Sequence, residues 1–330
     1  MTQVDDLVSV IIPAFNAAET LDETLRSARG QTHRNLEIIV VDDGSTDDTA
    51  RIAGAHEASD PRVRLIRQQN KGLPATRNVG IDASQGAYIA PLDADDLWSA
   101  DKTERQLAAL RGSNAALAYC WSAIIDLDSR IVHLDSRAEA DGDAVEALCS
   151  RNIVGNGSAP LITRAAVEEV GGYDTRKALH GCEDYMFYFR IAERHPYALI
   201  RDFLVGYRDR PGSMSASFDR MLSSHAACET AFAEGHPERR PLLRANRTRL
   251  TRFMASRAWR AGDVATAGRL VGQMLREDPG GTLANAADIL GRKFKRVMGA
   301  RGPGAELLGR RFAIGEPVDQ ASARAATITG

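Results

Sequence analysis

The sequence predicts an α/β fold: a mixed, mostly parallel sheet with helices on both faces, followed by a helical C-terminal appendage. Three observations carry this. Five short β-rich runs alternate with polar or helix-periodic segments over residues 8–121, the rhythm of strands joined by crossover helices. Runs such as Ile38-Ile39-Val40-Val41 are continuously apolar, which suits strands buried on both sides. Beyond residue 220, apolar residues recur instead at three- and four-residue spacing, the signature of amphipathic helices.

In chain order, strands are predicted over 8–15, 36–43, 63–68, 87–96 and 116–121, with helices over 20–30, 47–58, 74–84 and 100–112. From about residue 143 the pattern becomes helix, short strand, helix, with Gly-rich breaks at 154–160 and 170–174. A helix over 183–195 opens with two acids, and 197–212 reads as strand then loop. Residues 252–278 form a helix, a Gly-Asp break and a second helix, a single hairpin rather than a repeat array. After residue 299 the chain is rich in Gly, Ala and Arg, which suits a loose end. The division expected is therefore a domain over 1–220, with halves 1–121 and 122–220, a helical region over 221–298 and a flexible tail over 299–330.

An apolar fraction of 44% with 26% charged residues excludes disorder for the bulk of the 330-residue chain. The net charge of −2 hides an asymmetry: residues 239–311 hold 17 Lys and Arg against 5 Asp and Glu, leaving 25 against 39 elsewhere. Such a basic region meets an anionic membrane surface, an acidic partner, nucleic acid or only water. Nucleic acid is the weaker reading, since aromatics for base stacking are not interleaved. Arg292, Lys293, Lys295 and Arg296 beside Phe294 and Val297 favour peripheral docking at an anionic inner membrane face. Four cysteines without a C-x-x-C pair exclude a disulfide scaffold and suit a reducing compartment. No signal-peptide pattern and no run approaching ~20 apolar residues is seen. The expected location is cytoplasmic.

In doubly wound sheets, ligands bind beyond the carboxyl ends of the strands. Four polar motifs fall at such ends: PAFN at 13–16, DDGSTDDT at 42–49, QNKGLPATRN at 69–78 and DADD at 93–96. A carboxylate cluster of Asp93, Asp95 and Asp96 behind a buried strand needs a cation to neutralise it. Hard Mg²⁺ or Mn²⁺ suits one Asp-x-Asp where a diphosphate supplies the other oxygens. The competing reading is a helix cap near Leu97. Ser45 to Asp48 read as helix capping, which leaves Asp42 and Asp43 for a base, while Pro13, Phe15, Asn16 and Glu19 offer a rigid turn, an aromatic face and ribose contacts. No G-x-G-x-x-G follows the first strand and no P-loop motif occurs, which argues against dinucleotide and P-loop nucleotide binding.

The series VSVIIPAFN, LEIIVVDDGSTDDT, NKGLPATRNVGI, AYIAPLDADDLW and GGYD…GCEDYMFYFRIA resembles, in order and spacing, the motifs of family 2 glycosyltransferases with the GT-A fold, a Rossmann-like nucleotide-diphospho-sugar fold. The match covers about residues 7–215. It implies a nucleotide pocket of Pro13, Ala14, Phe15, Asn16 and Glu19, with Asp43 against the base and Arg77 with Lys71 and Gly72 near base or donor. It implies further that Asp93 and Ala94 line the donor, Asp93 facing ribose or a metal-bound water, and that Asp95 ligates the metal. Of the acidic pair, Asp184 would be the catalytic base with Glu183 beside it. The loop over 207–215 resembles the segment covering the diphosphate, with Arg208, Arg210 and Ser213 as contacts. Arg210 stands where the family often has histidine, so metal ligation here would rest on Asp95 and the donor.

The activity implied is an inverting hexosyl transfer (EC 2.4 type) from a metal-bound nucleotide sugar, a UDP sugar first, to a carbohydrate or lipid-linked glycan acceptor in polysaccharide or glycolipid synthesis. Two alternatives compete. A sugar-phosphate nucleotidylyltransferase requires a Gly-rich basic loop after the first strand, which PAFNAAET does not provide. A non-catalytic nucleotide-sugar binder is opposed by intact Asp43, Asp95 and Asp184. His180 and Trp98 face either the acceptor or only the protein's own packing.

Overall fold

A computed structural model describes residues 6–135, 139–210, 218–260, 262–277 and 305–314. Strands β1 (Val8–Ala14), β2 (Leu36–Asp42) and β3 (Val63–Arg67) alternate with helices α1 (Leu21–Arg29), α2 (Thr49–Ser59) and α3 (Leu73–Asp82). Then come β4 (Tyr88–Pro91), β5 (Leu97–Trp98), α4 (Lys102–Arg111), β6 (Leu117–Ile125) and β7 (Ile131–Asp135). The catalytic-half candidates follow on α5 (Val145–Ser150), β8 (Leu161–Thr163), α6 (Arg164–Val170), α7 (Glu183–Ala192) and β9 (Tyr197–Arg208). Helices α8 (Phe218–Gly235), α9 (Arg240–Arg260) and α10 (Val264–Glu277) complete the order.

The described strands form one sheet in the order β3-β2-β1-β4-β8-β6-β9-β5, with β7 added on β6. β3, β2, β1 and β4 run parallel, as do β6 and β9, whereas β8, β7 and β5 pair antiparallel. Every residue of β1 is buried, as the continuous apolar run predicts for a strand covered on both faces. α3 approaches so closely that a Cβ on Gly80 would lie 2.5 Å from Ile11 Cγ2, so this helix requires glycine there. Its start is set by Gly72, whose φ of 86° favours glycine, and by Pro74 in the first turn.

α5, β8 and α6 supply the helix, short strand and helix expected from about residue 143, whereas β5 and β7 fall outside the sequence-predicted runs; at two and five residues they carry too little periodicity to register. The predicted hairpin is present as α9 and α10, packed around Met254, Ala255 and Leu270. α8 is fastened to the sheet domain by aromatic stacking, with Phe232 on Phe189 at 4.1 Å and His225 on Tyr185 at 5.1 Å. Cys228, Phe232 and Leu243 share the main core. All four cysteines are free and buried. Among the described residues no helix is long and apolar enough to cross a membrane.

One expectation is corrected. Residues 305–314 are not a loose end: Phe312 is 5% exposed and packs with Leu97, Ala123, Ile125 and Ile131. Phe312, with Leu307 and Ile314 against the same cluster, supplies the apolar area that docks it. The basic cluster at 292–297 lies outside the described residues.

Candidate active site

At the end of β1, Asn16 takes a left-handed backbone (φ 48°). Its side chain accepts from Thr46 N at 2.9 Å, while its own N–H donates to Ser45 Oγ at 3.0 Å. Asp47 accepts from Ala18 N as well as from Thr49 N. The α2 N-cap, Asp48, makes no side-chain capping hydrogen bond; the residues read as helix caps instead stitch the first two strand-end loops together, a long-range role that local sequence cannot show. Phe15 is left 49% exposed over this surface, and Glu19 is exposed ahead of α1.

Asp43, 3% exposed, holds the third loop. It accepts from Gln68 Nε2 and Lys71 N through Oδ1 and from Gly72 N through Oδ2. A carboxylate fixed by three donors is held in one orientation, which fits it to receive a base N–H. Lys71 is exposed at the rim, and Gly72 lies against the His180 ring. Pro13 and Ala14 are buried in β1 and shape the floor.

Arg77 on α3 is the hub. Only 2% exposed, it donates Nη2 to Asp93 Oδ1 at 2.5 Å and Nη1 to Glu183 Oε1 at 3.0 Å, with its guanidinium carbon 5.2 Å from the Tyr173 ring centroid. Burial works against its charge, but Asp93, Glu183 and Asp184 outweigh that and hold it firmly protonated. Glu183 also accepts from Gly181 N, so it is a ligand of Arg77 rather than a free acid. Its neighbour Asp184 stays partly accessible and accepts only from the adjacent Tyr185 N among its described hydrogen bonds. Burial, then the charge of Glu183, raise the Asp184 pKa to about 7 against the pull of Arg77, which is where a general base works best.

The DADD residues divide their work. Asp96, wholly buried, accepts from Ser158 Oγ at 2.5 Å and from Arg208 N at 2.9 Å and is structural. Ala94 gives its carbonyl to Thr20 and Thr24. Asp93 and Asp95 are about a quarter exposed (24% and 23%), each with one oxygen on an arginine, Asp95 Oδ2 being 2.9 Å from Arg210 Nε. Burial and the charge of Asp93 raise the Asp95 pKa, Arg210 opposing. Two hard carboxylates that repel each other suit a divalent cation whose remaining ligands come from a diphosphate. No group of three or more His, Cys, Asp or Glu able to hold a metal occurs among the described residues, so those residues alone do not complete such a site.

Arg208 departs from expectation. It is 2% exposed, and its five N–H groups go to Asp95 O, Asp126 O, Leu127 O, Glu23 Oε2 and Ser129 Oγ. It is a strut beneath the site, not a phosphate contact, because an arginine sealed in by five acceptors has no donor left. Trp98 likewise is fully buried, donating to Ser158 O under Lys102, and does not stack on an acceptor. Ser213 lies outside the described residues.

Two contributors escaped the sequence reading. Ser158 accepts from Asp93 N at 3.0 Å while donating to Asp96, and a Cβ on Gly157 would lie 2.5 Å from Arg77 Nη2 and 2.8 Å from Asp93 Oδ2. The Gly-rich break at 154–160 was the available signal: glycine where a loop closes on a charged cluster marks close backbone approach.

The family profile "Glycosyl transferase family 2" matches residues 9–170. A putative teichuronic acid biosynthesis glycosyltransferase of Bacillus subtilis, TuaG, is 36% identical over 129 residues, 39% of this chain and 51% of its own length. The chain thus spans about half of that relative. Among solved structures, S. aureus TarS 1–349 in complex with UDP-GlcNAc is similar in fold, with a TM-score of 0.59 at 16% identity over 84% of this chain and 83% of its own. The mannosyltransferase PcManGT from Pyrobaculum calidifontis, in complex with GDP-Man and Mn²⁺, gives 0.54 at 16% over 87% and 80%.

Proposed function

From the premise that this chain is a member of glycosyltransferase family 2, with the GT-A-type fold, we propose that it transfers a sugar from a nucleotide diphosphate donor to an acceptor hydroxyl with inversion of the anomeric centre. One observation carries the reading: Arg77 joins Asp93, on the donor side, to Glu183, the neighbour of Asp184. The carboxylates suited to donor binding and the carboxylate suited to proton removal thereby form one cluster.

Asp43 receives the base, the Asn16 and Gly72 loops border the nucleoside, and Phe15 covers it. Asp93 and Asp95 would hold Mn²⁺ or Mg²⁺ together with the donor diphosphate, and such a cation would offset charge on the departing diphosphate. Arg210 adds a guanidinium on the same side. Asp184 accepts the proton of the acceptor hydroxyl. The hydroxyl oxygen bonds to the anomeric carbon from the face opposite the diphosphate, whose C–O bond breaks and whose oxygen keeps the electron pair. A single displacement inverts configuration.

The catalytic unit extends past the expected boundary at 220, since α8 crosses it and shares the main core, and α9 and α10 form the helical appendage. The acceptor is a glycan or a lipid-linked glycan. α9 carries seven arginines and no acid, and Phe253 and Trp259 on it are 52% and 64% exposed, which supports peripheral docking on an anionic membrane from the cytoplasmic side.

The test is a small panel of UDP-, GDP- and dTDP-sugars with Mn²⁺ or Mg²⁺, read as released nucleotide. Metal-dependent release with at least one donor is expected. No release from any donor, with or without acceptor extract, rejects the activity.

A further inference from the structure

Residues 305–314 reach the donor side of the crevice by two routes. The first is polar: Arg311 Nη2 lies 3.0 Å from Glu23 Oε1, Glu23 Oε2 lies 2.9 Å from Arg208 Nη2, and Arg208 Nε donates to Asp95 O at 2.8 Å. The second is apolar: Phe312 fills the space over Gly206, where a Cβ would come within 3.0 Å of its ring, and shares a cluster with Leu97. Leu97 directly follows DADD and pairs with Gly206 across β5 and β9. The segment itself is pinned by main-chain bonds, Ile131 N to Arg310 O at 2.8 Å, Gly309 N to Ile131 O at 2.7 Å and Phe312 N to Ser129 O at 2.7 Å. Ser129, in a left-handed conformation (φ 62°), turns its hydroxyl onto the same Glu23 oxygen at 2.7 Å.

We propose that residues 305–314 are a clasp that sets the position of Asp95 and its neighbours through Glu23, Arg208 and Phe312, making Glu23 and Phe312 positioning residues for donor binding. The proposal rests on the reading of Asp93 and Asp95 as the donor side. The physical reason is that Asp95 sits in a loop between two short strands, four and two residues long, whose own pairing gives it little rigidity. A carboxylate that must meet a cation and a diphosphate needs its backbone held within a fraction of an ångström. Arg208 supplies that hold, and Glu23 is the anionic partner that fixes the Arg208 side chain. Arg311 and Ser129 in turn orient Glu23.

The test uses the full chain and three variants, Glu23→Gln, Phe312→Ala and Phe312→Leu. Two readouts are taken: hydrogen exchange of peptides covering 93–98, and binding of UDP with Mn²⁺ by calorimetry. Glu23→Gln and Phe312→Ala are expected to speed exchange across 93–98 by roughly tenfold or more and to weaken UDP–Mn²⁺ binding by roughly tenfold, with donor KM rising more than kcat falls. Phe312→Leu, which keeps the apolar plug, restores both; it and the isosteric Glu23→Gln carry the test if Phe312→Ala does not fold. Exchange across 93–98 unchanged in Glu23→Gln, or faster only in 126–131 and 305–314, overturns the clasp. The exchange readout does not depend on turnover: a wild-type chain releasing no nucleotide from any donor rejects the proposed function and leaves exchange to decide the clasp.

Discussion

Arg210 Nε and Asp95 Oδ2 are 2.9 Å apart, so the second acid of the Asp-x-Asp pair meets a fixed guanidinium before it meets any ligand. Both side chains are about a quarter exposed (29% and 23%), which limits the pair to roughly 1 kcal/mol. The contact is weak enough to exchange. Arg210 competes with a cation for Asp95 yet offers charge to a diphosphate, so its removal should split two quantities that usually move together.

Arg210→Ala is therefore expected to lower the Mn²⁺ concentration for half-maximal turnover by roughly fivefold and to raise donor KM by a similar factor, the size of a ~1 kcal/mol contact. Steady-state kinetics at varied Mn²⁺ and varied donor separates the two. A rise in both constants would mean that Arg210 does not oppose cation binding.

Asp184→Asn removes the proton acceptor and keeps the shape. Turnover should fall by roughly 10²- to 10⁴-fold, while calorimetry shows UDP–Mn²⁺ binding retained. In the wild type, burial and Glu183 raise the Asp184 pKa to about 7. The base must be ionised, so kcat/KM should climb with pH through about 7 and then level. Stability follows the opposite slope. With a folded pKa raised from 3.8 to about 7, the stabilisation of the neutral form is complete below the unfolded pKa and is lost as pH rises through the folded one. Asp184→Asn should thus gain melting temperature over wild type at pH 8 but not at pH 4. Full turnover in this variant would remove Asp184 from the mechanism.

Arg77→Met leaves Glu183, 4% exposed, and Asp93 without their shared cation. Breaking a buried pair by deleting one partner costs about 3–5 kcal/mol, to be read as the shift in a urea or guanidinium transition. Arg77→Lys should recover only part of it, since one ammonium cannot span two carboxylates on different elements as the fork does. Gly157→Ala probes the same hub from the other side. The new methyl at 2.5 Å from Arg77 Nη2 should cost ~1–3 kcal/mol and raise donor KM.

The strand-end motifs made the nucleotide half legible in sequence, because each coupled a buried apolar run to polar residues at its carboxyl end. Asp43 and Asp95 came from that logic, and Arg77 from the family resemblance. What stayed hidden has a common cause. Glu23, Ser158 and Phe312 act through partners 62 to 288 residues away, and nothing in their local spacing distinguishes them from a helix-surface acid, a loop serine and a stray aromatic. Arg208 failed in the opposite direction: its motif neighbours suggested a ligand contact, but burial among five acceptors decides its role, and burial at a strand end is a tertiary property.

The helical hairpin offers the remaining prediction. Phe253 and Trp259 on α9, and Val264, Val271 and Leu275 on α10, are 41–64% exposed, while α9 supplies arginines and no acid. Interfacial binding combines apolar insertion with attraction to anionic headgroups, so it needs both features and weakens with salt. The protein should sediment with phosphatidylserine-containing vesicles at low ionic strength, less so at ~0.5 M salt, and hardly at all with neutral phosphatidylcholine. Phe253→Ala combined with Trp259→Ala should weaken binding by roughly tenfold or more, given ~1.5–3 kcal/mol for burying each large apolar side chain, while UDP–Mn²⁺ affinity is unchanged because neither side chain belongs to the proposed donor site. Binding indifferent to lipid charge, or equal in the double variant, would assign the basic helices to solvent or to a protein partner.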